Sequence, residues 1–131
     1  TDKSVYQTIV EDFDSDNNNE AFVLTRKGKD NEAVDVLVEM LKETGITIKM
    51  SDYAGFEKVG ALETNLPTNN QQITTQPGDI MLYQGNQIVL FYGSNTWNYT
   101  QIGHINNLSG WQEALGNGDV TITLSLEKKV E

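Results

Sequence analysis

Cysteine is missing from this 131-residue sequence, and histidine and arginine each occur only once. Without thiols the chain has no disulfide, no thiolate zinc site and no thiol nucleophile. A single histidine, His104, also excludes a metal site built from several imidazoles. We therefore expect neither a metal nor a cofactor.

Basic residues are scarce as well. The chain has 19 acidic against 9 basic side chains, which gives a formal charge of −10. Such a surface repels nucleic-acid phosphates and anionic lipid headgroups. No apolar run approaches the ~20 residues that a membrane-spanning helix needs. The composition thus argues against a nucleic-acid partner and against membrane insertion.

The length is typical of one domain with one core, so residues 1–131 are interpreted as a single domain, and we expect a monomer. The sequence begins Thr1-Asp2-Lys3 without a methionine. We expect an upstream segment, which would be a signal peptide, a lipoprotein leader or another domain. The compartment stays open between the cytoplasm and an exported or cell-envelope location.

The clearest structural signal lies in Pro77–Gly93, which reads PGDIMLYQGNQIVLFYG. Two apolar runs, Asp79–Gln84 and Gln87–Tyr92, flank Gly85-Asn86, a pair that favours a two-residue type II′ hairpin turn. The register set by that turn predicts one shared face for Ile80, Leu82, Val89 and Phe91. The other face is apolar too, so the hairpin is predicted to be covered on both sides.

The other elements are assigned from periodicity and turn residues. The main helix is predicted over Asn31–Thr44, capped by Asp30 and followed by Gly45, because its apolar residues recur at helical spacing. An N-terminal hairpin is predicted within residues 1–28, with strands 5–13 and 20–26 and an acidic loop tip. Further predicted elements are strands 46–50, 71–75, 99–105 and 119–126 and a short helix over 109–115.

Segment Ser51–Asn70 is less regular, with two glycines, one proline and scattered large apolar residues. Irregular segments between strands commonly carry binding sites, so a groove is expected here. Many strands with one long and one short helix predict a mainly β fold, namely a closed or nearly closed barrel.

Three candidate reactive groups are interpreted as structural or solvated. Arg26 ends a predicted strand and fits a solvated cation. His104 lies in ordinary strand sequence and fits a half-exposed structural histidine better than a member of a Ser–His–Asp triad. Glu57 would serve as a base if it were buried near Asp52, but a surface carboxylate is favoured.

The segment Asp12–Glu20 (DFDSDNNNE) begins like a calcium loop. Asn17 replaces the glycine that such a loop needs at its sixth position, and Val23 replaces the closing glutamate. We therefore expect Asp14–Asn19 to be a mobile, metal-free turn.

Aromatic residues beside amide side chains suggest a binding site instead. Tyr53, Phe56 and Trp97 lie in irregular segments next to polar residues, as aromatics in peptide or small-ligand grooves do. The predicted ligand-binding residues are Tyr53, Phe56, Glu57, Tyr83 and Trp97. No catalytic residue is predicted.

Four segments carry a family resemblance: MSDYAGFEKVG (50–60), QPGDIMLYQGNQIVLFYGSNTW (76–97), YTQIGHI (99–105) and LGNGDVTITLSL (115–126). Together they resemble the small bacterial cyclophilin-like domain family, over about Asp30 to Leu126. The resemblance implies an eight-stranded barrel flanked by helices. In true cyclophilins a pocket takes a prolyl ring, and an arginine after the helix polarises the peptidyl-prolyl bond. Arg26 precedes the predicted helix, so no residue here matches that arginine.

Two functions of different class follow. The first is a non-catalytic module that binds a peptide or small molecule in the cleft a cyclophilin would use. The alternative is a weak or degenerate peptidyl-prolyl isomerase, or another enzyme whose acid is Glu57 or Asp52. The missing arginine favours the binding module.

Overall fold

A computed structural model describes residues 7–11, 22–27 and 31–126 of the chain. In chain order its elements are β1 (Gln7–Glu11), β2 (Phe22–Arg26), α1 (Glu32–Glu43), β3 (Ile46–Tyr53), β4 (Glu57–Ala61), β5 (Gln71–Thr74), β6 (Asp79–Tyr83), β7 (Gln87–Phe91), β8 (Thr96–Ile105), α2 (Trp111–Leu115) and β9 (Val120–Leu126). The predicted acidic turn at Asp14–Asn19 lies outside the described residues, so its metal-free state stays a prediction. No helix in the described ranges is long and apolar enough to span a membrane.

The strands form one strongly curled antiparallel sheet. Its hydrogen-bonded order is β2-β1-β9-β3-β4-β7-β6-β8, and β8 pairs again with β2. That seam joins only three residue pairs, Leu24–Arg26 against Gly103–Ile105. Farther along β8, the short strand β5 pairs with Thr96–Tyr99. The predicted mainly β, eight-stranded cyclophilin-like fold is thus confirmed, but the barrel is open and not closed: its end strands meet only along this short seam.

The main helix forms where the apolar spacing predicts it, and it buries Ala33, Val34, Leu37, Val38 and Leu41. Its N-cap is Asn31 and not the predicted Asp30, because the Asn31 side-chain oxygen accepts a hydrogen bond from the Val34 N–H at 3.2 Å. The helix ends at Glu43, and its C-cap residue, Thr44, is extended. Gly45 does not adopt the expected left-handed conformation, since the chain passes directly into β3.

The central hairpin forms, but one residue out of the predicted register. Its loop has three residues, Gln84-Gly85-Asn86, with φ values of 53° at Gln84 and 78° at Gly85. Ile80 therefore pairs with Leu90 and not with Phe91. A shift of one residue turns the side chains of one strand to the other face. Both faces are covered, as predicted: Ile80, Leu82, Ile88 and Leu90 belong to the main core, and Met81, Val89 and Phe91 to a second cluster.

Strand β4 occupies part of the segment that the sequence predicts to be irregular. β3 continues through Tyr53, the chain turns at Ala54-Gly55-Phe56, and β4 runs back beside β3. β4 reads EKVGA, and both Glu57 and Lys58 are buried, so no alternation of polar and apolar residues marks it as a strand. The first part of this segment is therefore not irregular but forms a second hairpin, which carries Glu57 into the sheet.

The hydrophobic residues form two clusters on opposite faces of the sheet. The larger cluster contains the buried faces of both helices, including Leu37 and Trp111. The smaller one, called here the aromatic cluster, consists of Met81, Val89, Phe91 and Tyr99 with Phe56, Val59, Ile73 and Tyr83 packed against them. The Trp111 indole N–H donates to the Phe91 carbonyl at 2.8 Å, which ties the short helix α2 to the central hairpin.

Candidate functional site

A pocket of about 610 Å³ lies over the aromatic cluster, and we call it the aromatic pocket. It is lined by Ser51, Asp52, Tyr53, Ala54, Phe56, Glu57, Val59, Tyr83, Gln87, Asn95, Trp97 and Tyr99. These residues come from β3, β4, β6, β7, β8 and the loops between them. All five residues that the sequence predicts to bind ligand, Tyr53, Phe56, Glu57, Tyr83 and Trp97, are among them.

The β3–β4 turn builds one wall of the pocket. Ala54 and Gly55 take φ values of 57° and 79°, which turns the chain tightly and sets Tyr53 opposite Glu57. The rings of Tyr53 and Phe56 meet edge to face, with centroids 5.9 Å apart. Phe56 also stacks on Phe91, at 6.5 Å. This wall is therefore attached to the buried strand β7.

Strands β6 and β8 build the opposite wall. Tyr99 packs against Tyr83 with ring centroids 6.2 Å apart and against Phe91 at 5.5 Å. The Asn95 amide donates to the Tyr99 hydroxyl at 2.9 Å. Trp97 is 56% exposed and Tyr53 is 60% exposed, so these two aromatic side chains remain available at the mouth of the pocket.

Glu57 lies at the base of the pocket, and its residue is only 6% exposed. Its Oε1 atom is buried without a hydrogen-bond partner among the described residues. Burial raises the pKa of the Glu57 carboxyl to about 7, against a smaller opposing effect of a hydrogen bond from Tyr99. The prediction that Glu57 is a surface carboxylate is wrong. Glu57 pairs with Phe91 across the β4–β7 ladder, and this places its side chain on the face of the sheet that carries the aromatic cluster.

Asp52 also lines the pocket, but its carboxylate is bound by two residues that do not line it, Tyr92 and Lys58. It accepts a hydrogen bond from the Tyr92 hydroxyl and forms an ion pair with Lys58 at 3.1 Å. The hydrogen bond from Tyr92 is the main cause that lowers the pKa of Asp52. The Lys58 ammonium is fully buried and also donates to the Gly118 carbonyl. Asp52 is thus an ionised structural carboxylate and not a partner of Glu57.

Arg26, the only arginine of the sequence, contacts residues that do not line the aromatic pocket. The Arg26 side chain is 1% exposed, forms an ion pair with Asp35 at 2.8 Å and donates to the Asn31 carbonyl at 3.2 Å. The prediction of a solvated cation is therefore wrong, because β2 ends directly against the first turn of α1. Arg26 joins the helix to the barrel and does not line the pocket.

His104 is 40% exposed at its side chain, which agrees with the half-exposed histidine predicted from the sequence. Its Nδ1 lies 2.9 Å from an oxygen of Asp79, whose other oxygen accepts from the Gln76 backbone N–H. Neither residue lines the aromatic pocket. Within the described residues, no group of three or more His, Cys, Asp or Glu side chains is arranged to hold a metal ion.

A second pocket, of about 410 Å³, opens beside the barrel seam near the start of α1. Two of its polar side chains, those of Asn31 and Thr100, are already engaged in hydrogen bonds that join neighbouring elements. The Asn31 amide donates to the Gln101 carbonyl at 2.7 Å, and the Thr100 hydroxyl donates to Asn70 at 2.7 Å. This pocket is therefore a polar junction between elements, and the aromatic pocket is the stronger candidate for a site.

The sequence predicts the residue types of the site but misses two members of its surroundings. Tyr99 belongs to the site because β8 runs beside β6, and Lys58 lies beneath it because residues 57–61 form strand β4. A glycine two residues after Tyr53 was the available signal for the turn that creates β4.

Comparison with known proteins gives one informative result. No curated protein and no solved structure matches the chain. A family model described as the cyclophilin-like family matches residues 18–125, which is most of the sequence. The match includes all of the aromatic pocket and is consistent with the strongly curled, open barrel and its two helices. The chain belongs to the cyclophilin-like family.

Proposed function

We propose that this protein is a binding module that takes a peptide or small molecule into the aromatic pocket without catalysing prolyl isomerisation. The observation that carries the proposal is the meeting of exposed aromatic rings and a buried, unpaired carboxyl oxygen in one concavity. Tyr53 and Trp97 offer apolar surface at the mouth, and Glu57 offers a polar anchor at the base.

The size and chemistry of the pocket support binding. Ligand pockets commonly measure roughly 300–1,000 Å³ and combine aromatic walls with a few convergent polar groups. The aromatic pocket, at about 610 Å³, falls within that range. Large aromatic side chains that are exposed in a free protein often become anchors once a ligand excludes water from them.

The absence of a guanidinium from the pocket argues against efficient isomerisation. Rotation about a peptide bond has a barrier of ~18–20 kcal/mol, which falls when a donor weakens the amide resonance. Arg26 is engaged by Asp35, and Lys58 is engaged by Asp52 and Gly118. Neither cation lines the pocket.

An NMR titration of the isotope-labelled protein tests the proposal directly. The probes are short acetylated peptides, with and without proline, added to millimolar concentration. Trp97 lines the pocket and Trp111 is buried in the core, so the two indole N–H signals serve as reporter and internal reference. We expect the Trp97 signal to move while the Trp111 signal stays.

The matched variant is Trp97→Ala. Loss of a central aromatic anchor typically costs ~2 kcal/mol or more, so we expect binding to weaken about 30-fold. Signals from Tyr83 and Glu57 would report binding in this variant. If no peptide moves signals of the pocket residues in the unaltered protein, the proposed function is wrong.

A second candidate is a weak isomerase in which Glu57 acts as the acid. One observation favours it: with a pKa of about 7, the carboxyl keeps its proton in much of the population at neutral pH and can donate to a prolyl amide. This activity would accelerate cis–trans exchange and decline as the pH rises above about 7, because Glu57 then loses the proton.

A further inference from the structure

We propose that the preferred occupant of the aromatic pocket is a cationic group, such as the primary ammonium of a lysine side chain, paired with Glu57 between aromatic walls. This inference rests on the proposed binding function and names the class of ligand for the same site.

The first argument is the unpaired Glu57 oxygen. A carboxyl oxygen that is more than nine-tenths buried costs free energy unless a donor reaches it. The described residues that line the pocket include no lysine, arginine or histidine. Lys58, next to Glu57 in sequence, points to the other side of β4 and is bound by Asp52 and Gly118. No described side chain donates to this oxygen, so a donor on a bound ligand would satisfy it.

The second argument is the chemistry of the walls. Aromatic ring faces attract cations, most strongly where water is excluded, and tyrosine and tryptophan do so best. The pocket presents four such side chains besides Phe56: Tyr53, Tyr83, Trp97 and Tyr99. A formal charge of −10 on the whole chain adds a field that concentrates cations near the surface. A carboxylate, aromatic walls and a negative field all favour the same sign of ligand charge.

Proton linkage separates a cationic ligand from a neutral one. The titratable groups that face Glu57 are Tyr99 on β8, which donates to it, and Tyr92 after β7, which senses its charge. Tyr53 lies opposite on β3, while Asp52 and Lys58 neutralise each other. With a Glu57 pKa of about 7, a cation that selects the ionised form releases a proton below neutral pH. A neutral ligand that accepts a hydrogen bond selects the protonated form and takes up a proton above neutral pH.

The test uses two peptides, acetyl-Ala-Lys-Ala-amide and its norleucine analogue, which differ in the terminal ammonium, in about 150 mM salt to screen the general field. Calorimetry in buffers of different ionisation enthalpy measures the protons exchanged at about pH 6 and about pH 8.5. We expect the lysine peptide to bind at least about tenfold more tightly at neutral pH, to move the Trp97 indole signal, and to release protons at the lower pH.

Two variants test whether the preference for lysine depends on the charge of Glu57. Glu57→Gln keeps the shape of the pocket and removes its charge, so it should reduce the preference for lysine to about twofold or less. Glu43→Gln removes one charge from the exposed end of α1 and should leave the preference unchanged. Equal binding of both peptides, or a lysine preference that survives Glu57→Gln, would overturn the cation inference while the binding module stands. If neither these peptides nor neutral and prolyl ones move pocket signals, the binding module fails as well.

Discussion

At the scale of single residues, Glu57 is a buried carboxyl at a position where an apolar side chain would favour stability. Its carboxyl lies against the rings of the aromatic cluster, where desolvation opposes ionisation and raises its pKa to about 7. A residue chosen for stability alone would be apolar here, as its cross-strand partner Phe91 is. Buried titratable groups in a cleft are functional candidates for this reason.

Glu57 should make stability depend on pH in a predictable direction. Its pKa is higher in the folded state than the ordinary value of 4.5, so the folded state holds the proton more tightly. The contribution of the protonated Glu57 carboxyl to the free energy of unfolding is therefore fully present below about pH 4.5 and is lost as the pH rises through about 7. Glu57→Gln should match the unaltered protein in urea unfolding at about pH 4 and be more stable at about pH 8.5, by up to roughly 3 kcal/mol. A difference that does not grow with pH would contradict the assigned environment.

The ion pair between Asp52 and Lys58 gives a second prediction for single residues, because the Lys58 side chain is a fully buried cation. Asp52→Ala leaves its ammonium without a counter-charge and should cost about 3 kcal/mol in free energy of unfolding. In a Lys58→Met background the same change should cost under about 1 kcal/mol, because no buried charge remains. A double-mutant cycle by urea unfolding measures the coupling; effects that add within about 0.5 kcal/mol would show that the pair does not interact.

At the scale of elements, hairpin register decides which side chains reach the site. The three-residue loop at Gln84-Gly85-Asn86 turns Phe91 and Val89 towards the aromatic pocket, where a two-residue loop would have placed them in the main core. The apolar runs could be predicted from the sequence because they are long and symmetric. The loop could not, because Gln84 takes a left-handed conformation that favours glycine or asparagine.

Truncation of Phe91 should cost far more stability than truncation of Trp97. Phe91 is fully buried between the two walls of the pocket, so Phe91→Ala should cost ~3–5 kcal/mol through the cavity it leaves. Trp97→Ala should cost about 1 kcal/mol or less, because the side chain is more than half exposed. Thermal or urea unfolding of both variants checks the pair. Similar losses would mean that Trp97 belongs to the core and not to a binding surface.

At the scale of the whole molecule, the two end strands of the curled sheet, β2 and β8, meet only along a short seam. The backbone of Lys27 donates to Ile102 at 3.1 Å, and that of Asn106 donates to Val23 at 3.0 Å. Gly103 lies between these bonds, where an added Cβ would collide with the Thr25 carbonyl. A glycine is thus required for the two strands to approach.

Gly103→Ala should open this seam. We expect a loss of about 1–3 kcal/mol, with faster hydrogen exchange at the Lys27 and Asn106 amides. Gly45→Ala is the matched control, because its added Cβ would meet no atom closer than 3.3 Å. Unchanged exchange at both amides in Gly103→Ala would show that the seam does not depend on the missing side chain.

The sequence predicts the barrel and the types of residue in the site, but not how they meet. The helix and most strands follow from periodicity, and the five predicted ligand-binding residues line one pocket. The burial of Arg26 and Glu57 was missed, because each depends on a neighbour distant in sequence: Asp35 on the helix for one, and Phe91 on β7 for the other. Charged residues are usually exposed, so sequence alone favours the wrong interpretation for both.

Exchange spectroscopy on an acetyl-Ala-Pro peptide tests the central claim most directly, since it reports binding and isomerisation in one sample. Uncatalysed exchange takes tens to hundreds of seconds and gives no cross-peaks between cis and trans signals. With the unaltered protein we predict a shifted Trp97 indole signal, which shows an occupied pocket, and still no cross-peaks. Cross-peaks that appear with the unaltered protein and vanish on substitution of Tyr53, Phe56 or Trp97 would contradict the account and make this protein an isomerase that works without an arginine.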